Sequence, residues 1–493
     1  MAVAEHKSPS SLADRLAPLV GGRAILIALI VAGAFFMEQL DATIIVTALP
    51  QMASTFHLNP ARMSLGVTSY VLAMAACLPA SAWLADRWGA RNLFVGAIGV
   101  FVIASMLCGL APNFSAFVAA RILQGAAAAM MSPVGRLVVL RTAQKSELML
   151  ALSTLVWPAL FAPVLGPPLG GFITEAASWR WVFYVNLPLG LIWIVLVLAL
   201  LPDQKPEERR PFDGRGFALM AVALASLTSA VDLISARQGP GLMTLWEGLG
   251  LLGLGLAVGW AAIRHLDRAA HPLVDLEILR QHTFFISAVI GGLPARAAIS
   301  AGPFLLPLMF QIGYGLSPVQ SGLMLLLYMA ANLIAKTVTT PIIRRFGLRS
   351  VLTWNAVIAG LALAACAIIS PGLPLVFTGL LLCAAGGSRS LQLSATSMTS
   401  FAEVTPEQRS SASVLSSLCL QIGISMGVAL GALMLSVSQA LRGATSLGLL
   451  DFKIAIVLSG LLCALSAWPF ATLARDVGHE MSGRKPSRGV SAA

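Results

Sequence analysis

The chain has 493 residues, of which 57% are hydrophobic and 11% charged, with a mean hydropathy of +0.85. Soluble domains carry about 25% charged residues, so a soluble globular protein is excluded and many membrane spans are implied. The formal net charge of +11 would suit a nucleic-acid binder. However, the basic residues are dispersed over many short loops and form no contiguous patch with interleaved aromatics.

Residues 1–23 form a polar tail that includes a short amphipathic piece, Leu12–Val20. Six apolar runs follow at 24–47, 62–85, 93–111, 115–140, 147–172 and 181–201, each long enough to cross a ~30 Å hydrocarbon layer as a helix. Residues 202–215 are dense in charge and proline and read as a linker. Two further spans are predicted at 216–236 and 243–263, and a second charged linker at 264–282. Six more complete the chain, at 283–312, 318–341, 350–371, 373–400, 410–436 and 453–475, before a polar tail over 476–493. The predicted organisation is therefore fourteen helical spans in an all-α membrane protein: a six-helix bundle over 24–201, an inserted pair over 216–263, and a second bundle over 283–475.

When the spans alternate across the membrane, about 23 of the 32 Lys and Arg fall on one face, about 5 on the other and about 4 within spans. The positive-inside rule makes the rich face cytoplasmic, with both termini on it. The six cysteines lie within apolar runs without a CxxC spacing, so they read as small buried hydrophobes, not as disulfides or a metal site. The six histidines lie in loops or at span ends, which leaves mid-membrane proton chemistry to carboxylates. Residues 1–23 are polar and the first apolar run is too long for a cleavable signal peptide.

The first span contains Phe36-Met37-Glu38-Gln39-Leu40-Asp41-Ala42-Thr43. An ionised acid at mid-bilayer costs roughly 2.5–3.5 kcal/mol even on lenient insertion scales, so such residues are rare and usually functional. Glu38 and Asp41 share one helical face with Thr43 close by. Two like charges so near do not both stay ionised, so one can carry a proton. The alternative is that Glu38 sits neutral and hydrogen-bonded while Asp41 alone matters. Arg121 in the fourth span lies at a depth similar to Asp41 and can stabilise its ionised form, either as a coupling switch or as a static buried pair.

The two sets of six look duplicated. Asp86-Arg87-Trp88-Gly89-Ala90-Arg91 follows the second span, Arg344-Arg345-Phe346-Gly347-Leu348-Arg349 follows its counterpart, and Arg389 occupies the fourth span of the later six as Arg121 does of the earlier. Duplication of this kind underlies transporters that rock around a midplane site. Arg296, in the first span of the later six, adds another mid-membrane charge. The prolines and glycines of span five (Pro158, Pro163, Gly166, Pro167, Pro168, Gly170, Gly171) and Gly423, Gly427 and Gly431 of span thirteen allow close helix contact. Pro294, Pro303 and Pro307 predict a bent span nine.

Several of these stretches resemble motifs of one family. Leu40-Asp41-Ala42-Thr43-Ile44-Ile45 through Ala48-Leu49-Pro50 resembles the first-span motif of the fourteen-span drug–proton antiporters, a branch of the major facilitator superfamily. Leu84-Ala85-Asp86-Arg87-Trp88-Gly89-Ala90-Arg91 resembles its signature loop, Arg121-Ile122-Leu123-Gln124-Gly125 its fourth-span motif, and Gly166-Pro167-Pro168-Leu169-Gly170-Gly171 its fifth-span antiporter motif. Trp179-Arg180-Trp181 through Asn186-Leu187-Pro188-Leu189-Gly190 is typical of the branch. Ala82 and Ala162 stand where the family usually has glycine, and Arg344 stands where Asp86 stands in the first loop. Glu38 is not part of the general motif.

The resemblance implies a proton-coupled exporter of small hydrophobic or amphipathic compounds, working by alternating access in a bacterial inner membrane. It also implies proton coupling by Asp41 and Arg121, to which the paired-carboxylate argument adds Glu38. A substrate cavity would draw on Arg296, Arg389, Thr43, Gln124 and Gln311, and a cytoplasmic latch on Asp86, Arg87, Gly89 and Arg91. No cofactor beyond the proton gradient is expected, and a monomer suffices. The partners expected are a small-molecule substrate, protons and lipid. Arg296 and Arg389 either contact substrate or a cavity acid, or pair with backbone carbonyls. A symporter or facilitator of a small organic acid or lipid-like molecule fits the same fold. An intramembrane lipid-modifying enzyme would call for clustered His, Cys or acid–Ser groups at one depth or a metal site, whereas the sequence offers no mid-membrane His and no G-x-x-x-x-G-K-[ST] nucleotide loop.

Overall fold

The computed structural model describes residues 22–142, 147–201, 211–235, 242–270, 272–405, 408–474 and 477–478. The predicted amphipathic piece Leu12–Val20, most of the first linker and the tail beyond 478 lie outside these residues.

The described residues form helices and no strand. In order the main helices are α1 (Arg23–Ile44), α2 (Ser64–Cys77), α3 (Ala80–Trp88), α4 (Ala90–Leu110), α5 (Phe114–Thr142), α6 (Leu148–Ala176) and α7 (Asn186–Leu200). Then come α8 (Gly214–Ser235), α9 (Leu242–Arg268), α10 (Gly292–Leu308), α11 (Pro318–Phe346), α12 (Leu348–Ala365), α13 (Leu375–Ser400), α14 (Arg409–Leu441) and α15 (Leu449–Leu465). Among the described residues eleven helices are long and apolar enough to cross a membrane, or twelve if a bent pair is one span. That pair is the predicted second span. It breaks by 60° between α2 and α3, where Pro79 has no N–H to continue the ladder. Two further predicted spans are helical, α8 and α13, and α13 closes on the polar run Ser394–Ser400.

The helices turn large apolar side chains outward, among them Val195, Leu361, Val376, Leu441 and Trp468, which in water would be a standing liability. The chain is a multi-pass membrane protein. Gly89 and Gly347, at φ +81° each, make the turns into α4 and α12, a backbone region that strains any residue with a Cβ. After those turns Arg91 donates to the carbonyl of Leu198 and Arg349 to that of Ala471, so each bundle clamps its third and last spans in the same way.

The first bundle packs α1 along α6 and α5 between α2 and α4, and the second packs α10 on α14 and α13 on α11. The bundles meet along α6–α11 and α2–α14, and α8 of the inserted pair touches both α2 and α14. Span nine carries two π turns, 286–290 and 309–313, that flank α10. Such single turns of π-helix are frequent at functional sites.

Candidate functional site

Asp41, fully buried in α1, has both carboxylate oxygens engaged. Oδ2 accepts from Arg121 Nη1 at 2.8 Å, and Oδ1 accepts from Gln124 Nε2 at 2.9 Å and Asn186 Nδ2 at 2.7 Å. Arg121 also donates from Nε to the carbonyl of Gly66 at 3.0 Å and lies 4.2 Å over the ring of Tyr70. Ser105 accepts from Gln124 at 2.6 Å and from Asn186 at 3.2 Å, which fixes both amides. Every group facing the Asp41 carboxylate is a donor.

Glu38 points elsewhere. It accepts from Ser132 Oγ at 2.8 Å and lines a cavity of about 510 Å³ with Arg136 and Ser81. Glu38 and Asp41 therefore have separate partners, and sequence spacing could not reveal this because it fixes the shared face, not the rotamers.

Next to that cavity, and sharing Gln39, Met74 and Gln421 with it, is a central cavity of about 230 Å³. Both bundles contribute walls. Thr43 and Arg389 line it, as do Tyr70, Ser300 and Asn332. Three residues expected there lie elsewhere. Gln124 is held in the Asp41 network. Arg296 is buried behind α10, where Nη1 donates to the carbonyl of Ala288 at 3.3 Å, a carbonyl in the first π turn. Gln311 bridges the bundles, donating to the carbonyl of Thr47 at 2.9 Å and accepting from Gln51 at 3.0 Å.

Gln311 belongs to a set of ties at the charge-poor end. Asn59 donates to Gln439 at 3.0 Å, and the Val319 N–H donates to Glu175 at 3.1 Å. The span-five glycines make further close contacts. A Cβ on Gly166 would stand 2.3 Å from Thr43 Oγ1, on Gly170 2.2 Å from the Ile44 carbonyl, and on Gly171 2.3 Å from the Pro318 carbonyl. Pro167 presents its carbonyl to Thr47 Oγ1 at 3.3 Å, and Gly322 closes against the same carbonyl from α11. The glycine motif thus brings α6 against α1 of its own bundle and α11 of the other.

At the basic end Asp86 accepts from Arg141 of α5 at 3.4 Å, while Arg87 lies 5.3 Å from the ring of Trp83. Gly89 supplies the turn and Arg91 the Leu198 clamp. Arg141, Asn186, Ser105, Ser132 and Tyr70 are the neighbours that sequence reasoning missed. Asn186 had a signal, as a lone amide at the start of an apolar helix.

The family model of the Major Facilitator Superfamily matches residues 31–427 and, a second time, 289–492. The chain belongs to the Major Facilitator Superfamily. It is 35% identical over 452 residues to a Citrobacter koseri protein named "Putative multidrug resistance protein MdtD", covering 91% of this chain and 94% of that one. A Klebsiella pneumoniae protein of the same name is 36% identical over 82% of this chain and 85% of its own. Among solved structures, the POT family transporter PepTSo aligns with a TM-score of 0.64 at 13% identity over 90% of this chain and 97% of that one. The inward-open xylose transporter XylE from E. coli aligns at 0.59 and 12% identity, covering 90% and 95%. These structures share the fold. As a superfamily member the chain is a transporter of small molecules and not an enzyme.

Proposed function

We propose that the chain is a proton-coupled exporter of small hydrophobic or amphipathic compounds, driven by the proton gradient without a cofactor. It would work by alternating access from a bacterial inner membrane, with both termini cytoplasmic, as a monomer. The relatives named for multidrug resistance support export. The observation that carries coupling is the fully buried Asp41, surrounded only by donors from α5 and α7, on a helix that itself lines the central cavity. Gln39, Ala42 and Thr43 of α1 face that cavity, and Tyr70 lines it while its ring lies under Arg121. A proton on Asp41 loosens Arg121, and Tyr70 transmits the change to the substrate wall. Glu38, facing the neighbouring cavity, is a second candidate carrier, and the Asp86–Arg141 pair with Arg87, Gly89 and Arg91 is the candidate cytoplasmic latch. The ties at the charge-poor end support a form closed on the outer side.

The test is substrate-driven proton movement in proteoliposomes, with lipophilic cations, anions and zwitterions. Proton flux opposite to substrate, abolished in Asp41→Asn and reduced in Glu38→Gln, is expected. Substrate movement without proton flux, unchanged in both variants, would make the chain a facilitator.

A further inference from the structure

The central cavity carries a single charge. Arg389 lines it and makes no hydrogen bond or ion pair among the described residues, with its buried Nε left without a partner. No carboxylate lines this cavity. The acids of α1, whose Gln39, Ala42 and Thr43 line the cavity, are already engaged, Asp41 by Arg121 and Glu38 by Ser132. Three more buried polar atoms in the same wall have no partner: the Tyr70 hydroxyl, Ser300 Oγ and Asn332 Oδ1. With Arg389 they come from four helices, α2, α10, α11 and α13, so no local backbone requirement explains their convergence. Native interiors rarely leave such groups unmatched, and where they do the absent partner is usually water, an ion or a ligand. The remaining wall is apolar, with Val46, Val67, Phe304 and Leu325 among its members.

We propose that this cavity takes a small amphipathic organic anion, with its carboxylate on the Arg389 guanidinium and its apolar body against the Phe304–Leu325 wall. The assignment rests on the reading above that this cavity is the substrate site. A guanidinium stays charged at every physiological pH and binds carboxylate in a fork that an ammonium cannot match. Tyr70 and Ser300 donate to the anion or to an adjacent ether or carbonyl oxygen, and Asn332 Oδ1 accepts from any hydroxyl or amide the substrate carries. A lipophilic cation in the same place meets Arg389 without a compensating acid and is repelled. The cavity, at about 230 Å³, lies just below the ~300–1,000 Å³ range of small-molecule sites, which restricts it to small acids of one or two rings.

Three probes of matched shape decide it: naphthaleneacetate, naphthaleneacetamide and naphthaleneethylammonium, titrated calorimetrically into the full chain in lipid nanodiscs. The wild type should bind the acetate at least about tenfold more tightly than the amide or the amine, the discrimination expected of one charge-assisted pair. Arg389→Gln should remove that preference while changing amide affinity less than about twofold, and Arg389→Lys should retain part of it, because its ammonium keeps the charge but not the fork. Ranking the amine or amide first, or binding none of the three, overturns the proposal, and the wild-type ranking needs no variant to fold. An acetate preference that survives Arg389→Gln also overturns it. Proton movement driven by whichever probe binds is scored separately. If the amine binds and exchanges for protons, the export reading stands and only the anion assignment falls.

Discussion

The two six-helix bundles share a backbone plan and differ in how they house charge. In each, a glycine at φ +81° makes the turn into the third span and an arginine two residues later clamps a carbonyl of the last span. In each, the fourth span crosses the second at a glycine with no room for a Cβ, which would stand 2.1 Å from the Tyr70 carbonyl at Gly125 and 2.0 Å from the Tyr328 carbonyl at Gly386. The same sequence distance separates Tyr70 from Gly89 and Tyr328 from Gly347, so these landmarks set one register. In that register the counterpart of Arg121 is the fully buried Leu382, and the counterpart of Arg389 is the fully buried Ala128. The first bundle therefore completes an acid–base network at its crossing. The second leaves that place apolar and sets its cation two turns further along the helix, in the cavity wall. Charge balanced within one bundle suits a proton switch, and charge left unbalanced in the other suits recognition.

The largest expected effect separates Arg121 from Arg296, two equally buried arginines. Arg121→Leu strands the Asp41 carboxylate among two amides and should cost about 3–5 kcal/mol, as breaking a buried pair does. Arg296→Leu removes a cation that has no acid partner among the described residues and loses one 3.3 Å hydrogen bond to Ala288, so it should be neutral or stabilising. Unfolding of the two purified variants, followed by tryptophan fluorescence, measures both. Equal losses would mean that Arg296 answers a charge of its own and that the bundles do not differ as described.

A smaller effect tests the shared backbone. Gly125→Ala and Gly386→Ala should each lose about 1–3 kcal/mol, and by similar amounts, because the atom met is a carbonyl that cannot swing away. Gly96→Ala in α4, where a Cβ meets nothing within 4 Å, should instead gain up to about 1 kcal/mol from helix propensity. A large loss at Gly125 with none at Gly386 would break the register, and with it the pairing of Arg121 with Leu382.

Most of the plan was legible in the sequence because membrane helices announce themselves by length and hydropathy, and the duplicated Gly89 and Gly347 loops by their spacing. Asp41 and Arg121 were legible as a pair because charges at similar depth in apolar runs have few other partners. Glu38 was not, since turning toward Ser132 or toward Asp41 is a rotamer choice that depends on α5. Arg296 and Arg389 read alike in the sequence, each a lone cation in mid-span. What separates them is the π turn that offers Arg296 a carbonyl and the Gly423 contact that holds it behind α10. Span two was expected as one run over 62–85, and its break follows from Pro79, which has no N–H to carry the helical ladder.

The smallest effect lies at the seam, where α8 touches one helix of each bundle. Asp213 precedes α8 and ties three segments together: it accepts from the Gly216 N–H at 2.8 Å, from the Leu273 N–H at 3.4 Å, and bonds His265 of α9 at 2.8 Å. Burial pushes its carboxyl up, but the Gly216, His265 and Leu273 hydrogen bonds outweigh this and hold it below the usual carboxylate value. A depressed folded value means that the stabilisation is complete above the unfolded value of about 3.9 and is lost as pH falls through the lower folded one. Asp213→Ala should therefore cost about 1 kcal/mol near neutral pH, as removal of a helix cap does, and little once the pH is below the depressed folded value, where the wild-type carboxyl is also protonated. Asp213→Asn should keep the acceptor and lose less. Melting midpoints of the three proteins at neutral and acid pH give the result. A deficit in Asp213→Ala that is independent of pH would make the residue a packing element, and the inserted pair would then join the bundles by apolar contact alone.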